Sequence, residues 1–278
     1  MEDYKNFCID EYKRIFAKEF DACKEKKIGK KRVFAQKKAI KESSVNAMMK
    51  YPKIEPANIW KTIYLSHINN FSQIFDKEII DKIISADNSW KKSSGHAFEE
   101  MIRDIGNLHL KDKGLRIFLQ KELSVELHNN NIKNEVRDIS WLKEQTATSI
   151  FDLYLAIEDD DGFLVYGCIQ SKTSVRDRVT RDREPSINAM KAYFMSIAIV
   201  LDGDFLKMPK FKNMVNGNSN EFDINGWHKL YVLSNNEELI DDRISIMDIS
   251  MKTFVDEAEK GANYWLTQRQ WLNSEWRP

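Results

Sequence analysis

The chain reads as an α/β protein with an N-terminal helical subdomain, and three observations carry that reading. Apolar residues recur at helical spacing through about the first 85 positions, whereas several later segments are short, β-branched and aromatic, the texture of strands. A length of 278 residues is enough for one large domain or two modest ones. Its 42% apolar and 31% charged residues match a folded chain rather than a disordered one.

The elements follow in order. Phe7, Tyr12, Ile15, Phe16 and Phe20 share one face of a first helix over Tyr4–Phe20, and Gly29 is a stop signal beyond it. Pro, Asn and Asp then separate helical patterns over Arg32–Met49, Pro56–His67 and Phe71–Ile84. Residues 1–85 therefore form the helical subdomain and 86–278 a second domain. A helix over Gly95–His109 takes Ser93 or Ser94 as its cap and Phe98, Met101, Ile102 and Ile105 as its apolar stripe. Strands are predicted over Gly114–Leu127, Ser149–Ile157 and Phe163–Ser171, with the acidic turn Glu158–Gly162 joining the last two as an antiparallel pair. The spacing next predicts a helix over Ser186–Leu201, opened near Pro185, whose missing N–H suits a first turn. His228–Ser234 reads as another strand and Ile249–Leu272 as a closing helix.

Several classes of protein are disfavoured. The longest apolar stretch, near Ala192–Leu201, is too short for a membrane span. Cys8, Cys23 and Cys168 are odd in number and scattered, which disfavours a disulfide framework or a zinc site. The acidic start lacks the pattern of a secretory signal, so cytoplasmic residence is expected. Five histidines stand without metal-ligand spacing, and ten glycines form no phosphate-cradling loop. Trp227, Trp265, Trp271 and Trp276 read as packing for the C-terminal helix, or as an aromatic dimer surface.

Forty-three basic and 43 acidic side chains cancel, yet they are segregated along the chain. Lys24–Lys41 holds nine basic residues against Glu25 alone, Lys172–Arg183 holds five against Asp177 and Asp182, and Glu221–Lys260 is predominantly acidic. Charge attraction is local at a screening length of ~8 Å, so a neutral protein can present a positive face. The first block reads equally well as a solvated helix face.

Chemistry concentrates in the paired strands. Asp152 stands mid-strand between Phe151 and Leu153, and on the next strand Cys168, Gln170 and Lys172 share one face while Val165, Gly167 and Ile169 take the other. Ionic groups inside a sheet are costly unless paired or metal-bound. The group is therefore a buried Asp–Lys salt bridge, a strand end reaching solvent, or a catalytic site.

An Asp followed on the adjacent strand by x-x-Lys resembles the PD-(D/E)XK nuclease core. The resemblance implies a restriction-endonuclease-like core, a central mixed sheet flanked by helices. It assigns Asp152 and a second acid to Mg²⁺, and Lys172 to assisting attack by water on phosphate. Gln170 stands where that second acid is expected and offers only an amide carbonyl, so another carboxylate is needed. Glu99, in Ser94-Gly-His-Ala-Phe-Glu, is one candidate; Glu184 or Asp182, after the lysine, is another.

The stretch from Lys172 to Ser186, with Arg176-Asp177-Arg178 inside it, is similar to the CCGG-recognising branch of type II restriction endonucleases. Ser-Gly-x-Ala-Phe-Glu looks like the AgeI/BsaWI type within that branch, and the resemblance covers roughly Ser93–Ile199. It implies hydrolysis of double-stranded DNA with Mg²⁺ at a palindromic site with a CCGG-type core, leaving 5′-phosphates. A homodimer and a cognate methyltransferase are expected with it. The implied catalytic residues are Asp152, Gln170, Lys172 and one of Asp182 and Glu184. Metal ligands are drawn from Asp152, Glu99 and Glu184, and DNA contacts from Ser174, Arg176, Asp177, Arg178 and Arg181. The chemistry agrees, because arginine pairs with guanine O6 and N7 and aspartate accepts from cytosine N4. Two other readings stay open: a nuclease-fold DNA-binding protein without activity, and a structure-specific repair nuclease.

Overall fold

The computed structural model describes residues 2–71, 77–173, 179–268, 276 and 278. Two compact units divide the chain, Met1–Met101 and Ile102–Pro278.

The first unit contains α1 (Glu2–Ala22), α2 (Ile28–Lys50), α3 (Pro56–Phe71) and the beginning of α4 (Lys77–Leu110). Ala35, Gln36, Ala39, Ile40, Ser43, Ser44, Ala47 and Met48 are buried on α2, a stripe repeating every four residues whose small side chains let neighbouring helices approach closely. His67 is buried too, with its Nδ1 2.8 Å from the Tyr12 hydroxyl and its Nε2 3.1 Å from the Ala86 carbonyl oxygen. The sequence predicts a helix boundary at Ser93 or Ser94, but α4 runs through both. Ala86, Trp90, Ala97, Phe98 and Met101 carry a buried stripe across that point, and both serines are buried in it. A continuous apolar stripe outweighs the capping tendency of two serines.

The second unit is built on a six-stranded mixed sheet with helices, as the sequence led us to expect. Its strands are β1 (Leu115–Leu119), β2 (Leu153–Asp159), β3 (Gly162–Lys172), β4 (Met195–Val200), β5 (Lys229–Leu233) and β6 (Ile244–Met247). They lie in chain order, with β1, β2 and β3 antiparallel and β3 through β6 parallel. The helices are α5 (Gln120–His128) and α6 (Val136–Thr148) before β2, α7 (Val179–Lys191) between β3 and β4, α8 (Pro209–Asn216) before β5, and α9 (Lys252–Thr267). Phe118, Leu123, Leu142, Tyr154 and Cys168 pack in one cluster, and Val200, Met214, Val215, Trp227 and Leu230 in a second.

Three local expectations are corrected. The strand predicted over Gly114–Leu127 ends at Leu119, where the Glu122 carboxylate accepts the Leu119 N–H at 2.9 Å and starts α5. The helix predicted over Ser186–Leu201 is α7 followed by β4, with Pro185 inside α7 rather than at its opening. All six residues of β4 are buried, so the strand shows no alternation to distinguish it from a helix. The pairing of β2 with β3 shifts register between Leu155 and Ala156, which leaves Tyr166 as an extra residue. That bulge carries Val165 into the cluster that holds Cys168, although strict alternation places the two on opposite faces. Among the described residues, no helix is long and apolar enough to cross a membrane.

Candidate active site

The site forms at one end of the β2–β3 pair. α6 ends at Ser149 in the left-handed region, with φ 55°, and the Gln120 side-chain amide donates to the Ser149 hydroxyl at 2.9 Å and to the Thr146 carbonyl. Buried Phe151 then anchors the chain between Trp141 and Tyr154. Asp152 therefore stands just before β2 rather than mid-strand. Its N–H donates to the Ile169 carbonyl at 3.0 Å and its carbonyl accepts the Gln120 N–H at 3.2 Å. One carboxylate oxygen, Oδ2, accepts the Ser171 N–H at 2.7 Å and lies 2.9 Å from the Lys172 Nζ.

Lys172 is the last residue of β3, and its ammonium also lies 3.9 Å from the Asp182 carboxylate on α7. The side chains of Asp152, Lys172 and Asp182 are 19%, 17% and 24% exposed, so the group opens to solvent and a ligand can reach it. Two helical positions on, Glu184 projects about 200° around α7 from Asp182 and is exposed. Of the two acids left open by the sequence, Asp182 is thus the one beside Lys172.

Gln170 has both ends of its amide engaged. It is buried, its Oε1 accepts the Trp227 indole N–H at 2.7 Å, and its Nε2 donates to the Asp182 backbone carbonyl at 3.0 Å. Trp227, which by sequence reads as packing for the C-terminal helix, instead precedes β5. A buried glutamine needs partners at both ends, which signals that a donor exists but not which residue supplies it. Gly226, the preceding residue, packs closely on α8, since a Cβ there would meet the Met214 carbonyl oxygen at 2.6 Å.

The other predicted residues are taken in turn by their own surroundings. Glu99 lies on α4 in the first unit, with its Oε2 3.1 Å from the His96 Nδ1. Arg181 is exposed on α7. Arg183, from the same basic segment, is turned to structure: it donates to the Ile224 carbonyl at 2.6 Å, stacks over Phe222, and its burial lowers its pKa. Ser174, Arg176, Asp177 and Arg178 fall outside the described residues. In the Lys24–Lys41 block, Lys37 pairs with Glu100 at 2.7 Å, and Lys31 lies over the Phe20 ring. Cys8 and Cys168 are buried free thiols, as packing predicts.

Asp152 and Asp182 offer hard oxygen donors on either side of one ammonium. Among the described residues, no group of three His, Cys, Asp or Glu side chains is gathered for a metal. Two carboxylates still suit Mg²⁺, which is held through one or two carboxylates and completes its shell with water and substrate phosphate.

A mixed sheet with an Asp just before one strand, a Lys at the end of the adjoining strand and a further acid on the following helix is the arrangement expected of a nuclease-type centre. The model of the family described as BsaWI restriction endonuclease type 2 matches residues 125–270. The solved structure titled "Crystal structure of pre-specific restriction endonuclease BsaWI-DNA complex" is 50% identical, covers 99% of this chain and 98% of that one, and superposes with a TM-score of 0.70. A specific AgeI–DNA complex is similar at 18% identity and a TM-score of 0.63 over 91% of each chain, a likeness of fold. No curated protein sequence matches the chain. The chain belongs to the BsaWI restriction endonuclease family and is a type II site-specific deoxyribonuclease.

Proposed function

We propose that the protein binds double-stranded DNA and cuts it at a palindromic site with a CCGG-type core, using Mg²⁺ and leaving 5′-phosphates. The observation that carries this reading is the Lys172 ammonium 2.9 Å from Asp152 and 3.9 Å from Asp182. DNA in the BsaWI complex supports the polymer as substrate. Asp152 and Asp182 hold the metal, and Glu99 is a further carboxylate that the resemblance assigns to it. Bound Mg²⁺ supplies polarisation of the scissile phosphate and a lowered pKa for water. Lys172 stabilises charge developing on the phosphate or orients the attacking water. Gln170 acts through its neighbours. Arg176, Asp177 and Arg178 read base edges, while Ser174, Arg181 and the Lys24–Lys41 block hold phosphates.

A twofold homodimer matches a palindromic target, with each subunit cutting one strand. The reading includes cytoplasmic residence with a cognate methyltransferase that protects the host's own sites.

Digestion of a sequenced DNA with Mg²⁺, and separately with chelator, tests the function. Fragment ends at one repeated CCGG-containing sequence are expected only with Mg²⁺; fragments without a common end sequence would overturn the specificity. Asp182→Asn should abolish cutting while Glu184→Gln retains it, and the reverse result would reassign the acid. Arg176→Ala and Arg178→Ala should each cost about 1–3 kcal/mol of specific binding. Equal loss on random DNA would make them phosphate contacts.

A further inference from the structure

The first turn of α7 carries Asp182, and its backbone ladder lacks one bond. Pro185 lies inside α7 and has no N–H, so the Arg181 carbonyl loses the partner a regular helix provides four residues on. Groups outside the helix also hold this turn. Gln170 is such a group, since its Nε2 donates to the Asp182 carbonyl oxygen at 3.0 Å from the strand that also bears Lys172.

The carboxamide has one possible orientation. An indole N–H only donates and a backbone carbonyl only accepts, so Trp227 must face Oε1 and Asp182 must face Nε2. Trp227 is 2% exposed and packs in the cluster of Val200, Met214 and Leu230, which fixes the indole, and the indole fixes the amide. Turning the amide over would set donor against donor and acceptor against acceptor at a site that is 1% exposed.

We infer that Gln170, locked by Trp227, is a positioning residue that sets where Asp182 stands relative to Asp152 and thereby sets the affinity of the centre for its divalent cation. The inference rests on the reading of Asp182 as a metal-holding carboxylate. It gives the neutral residue at the strand position a role in place of direct ligation, and it gives Trp227 a part in the reaction.

Gln170→Met keeps the length of the side chain and removes both hydrogen bonds; Trp227→Phe removes the lock alone. Each variant is compared with wild type and Asp182→Asn in two titrations on the full chain. One follows Mn²⁺ binding without DNA by the electron paramagnetic resonance signal of the free ion. The other follows plasmid cleavage against Mg²⁺ concentration, with both made well below each variant's thermal midpoint. Groups that orient metal ligands typically contribute about 10–100-fold in metal affinity. Gln170→Met and Trp227→Phe should weaken Mn²⁺ binding about 10-fold or more, raise the Mg²⁺ needed for half-maximal cleavage in parallel, and recover cleavage at high Mg²⁺. If both bind Mn²⁺ as wild type does while Asp182→Asn binds it weakly, the positioning role is wrong and the assignment of Asp182 stands. If Asp182→Asn binds and cuts like wild type, that assignment falls and the inference falls with it. A lowered thermal midpoint with unchanged metal titration would make Gln170 and Trp227 structural only.

Discussion

Asp152 owes its place to its neighbours. Phe151 anchors the chain, the backbone of Asp152 is tied to Ile169 and Gln120, and the Ser171 N–H aims one carboxylate oxygen at Lys172. Without the Lys172 ammonium Asp152 keeps the Ser171 N–H, and without the Asp152 carboxylate Lys172 keeps Asp182. Asp152→Asn and Lys172→Ala should each lower cleavage by about two to three orders of magnitude under saturating Mg²⁺, with little change in the unfolding midpoint. Single-turnover cleavage and a thermal melt measure the two effects. Another residue-scale prediction belongs to His67, whose pKa is lowered by burial. The folded state then takes up a proton less readily than the unfolded one, so the contribution of His67 is complete above the unfolded value near 6.5. It declines as pH falls from there toward the folded pKa. Thermal midpoints should drop between about pH 7 and pH 5, and the drop should be shallower in His67→Gln. Asp152 and Lys172 were legible because charges in a sheet need a reason, and the candidate acids followed from the nuclease resemblance. The partners of Gln170 were not, since Trp227 is 57 positions away.

Among the elements, β3 has the most to explain. Its pairing with β4 begins at Gly167, so the backbone of Val165 on that side is satisfied from elsewhere. Asn134 does this with both ends of its amide, accepting the Val165 N–H at 2.7 Å and donating to the Val165 carbonyl at 2.8 Å. Asn107 makes the same bracket on Ile117 of the edge strand β1, which covers the edge against pairing with another chain. Asn134→Ala should destabilise the protein by about 2 kcal/mol, because two buried polar groups lose their partner together. Chemical denaturation measures the loss, and a change under about 0.5 kcal/mol would mean that water replaces the amide. Strand alternation read from β3 alone could not reveal the bulge. The run Met195–Val200 could not announce itself as a strand either, since burial on both faces removes the period that separates strand from helix.

At the scale of the second unit, β4 and β5 are buried along their whole length and lie between β3 and β6 in the parallel part of the sheet. Amides of β4 and β5 should exchange with solvent slowest, near the rate set by global unfolding, and those of the edge strands β1 and β6 faster. Hydrogen-exchange mass spectrometry tests this, and equal protection across the sheet would contradict it. For the whole chain, the charge balance of 43 against 43 proved uninformative because charges are assigned one by one. Arg183 and Lys37 are spent on internal contacts, while Asp152, Lys172 and Asp182 gather at the site. The sequence by itself determined the α/β class, the antiparallel strand pair next to Asp152 and carrying Lys172, and the nuclease resemblance that the family match bears out. These rest on local periodicity and on residue types whose chemistry is rare in a sheet. Only the tertiary structure decided between Asp182 and Glu184 for the place beside Lys172, turned Gln170 toward Trp227, and made one helix of α4. Each of those outcomes is set by burial and by hydrogen-bond partners distant in the chain, which local spacing does not encode.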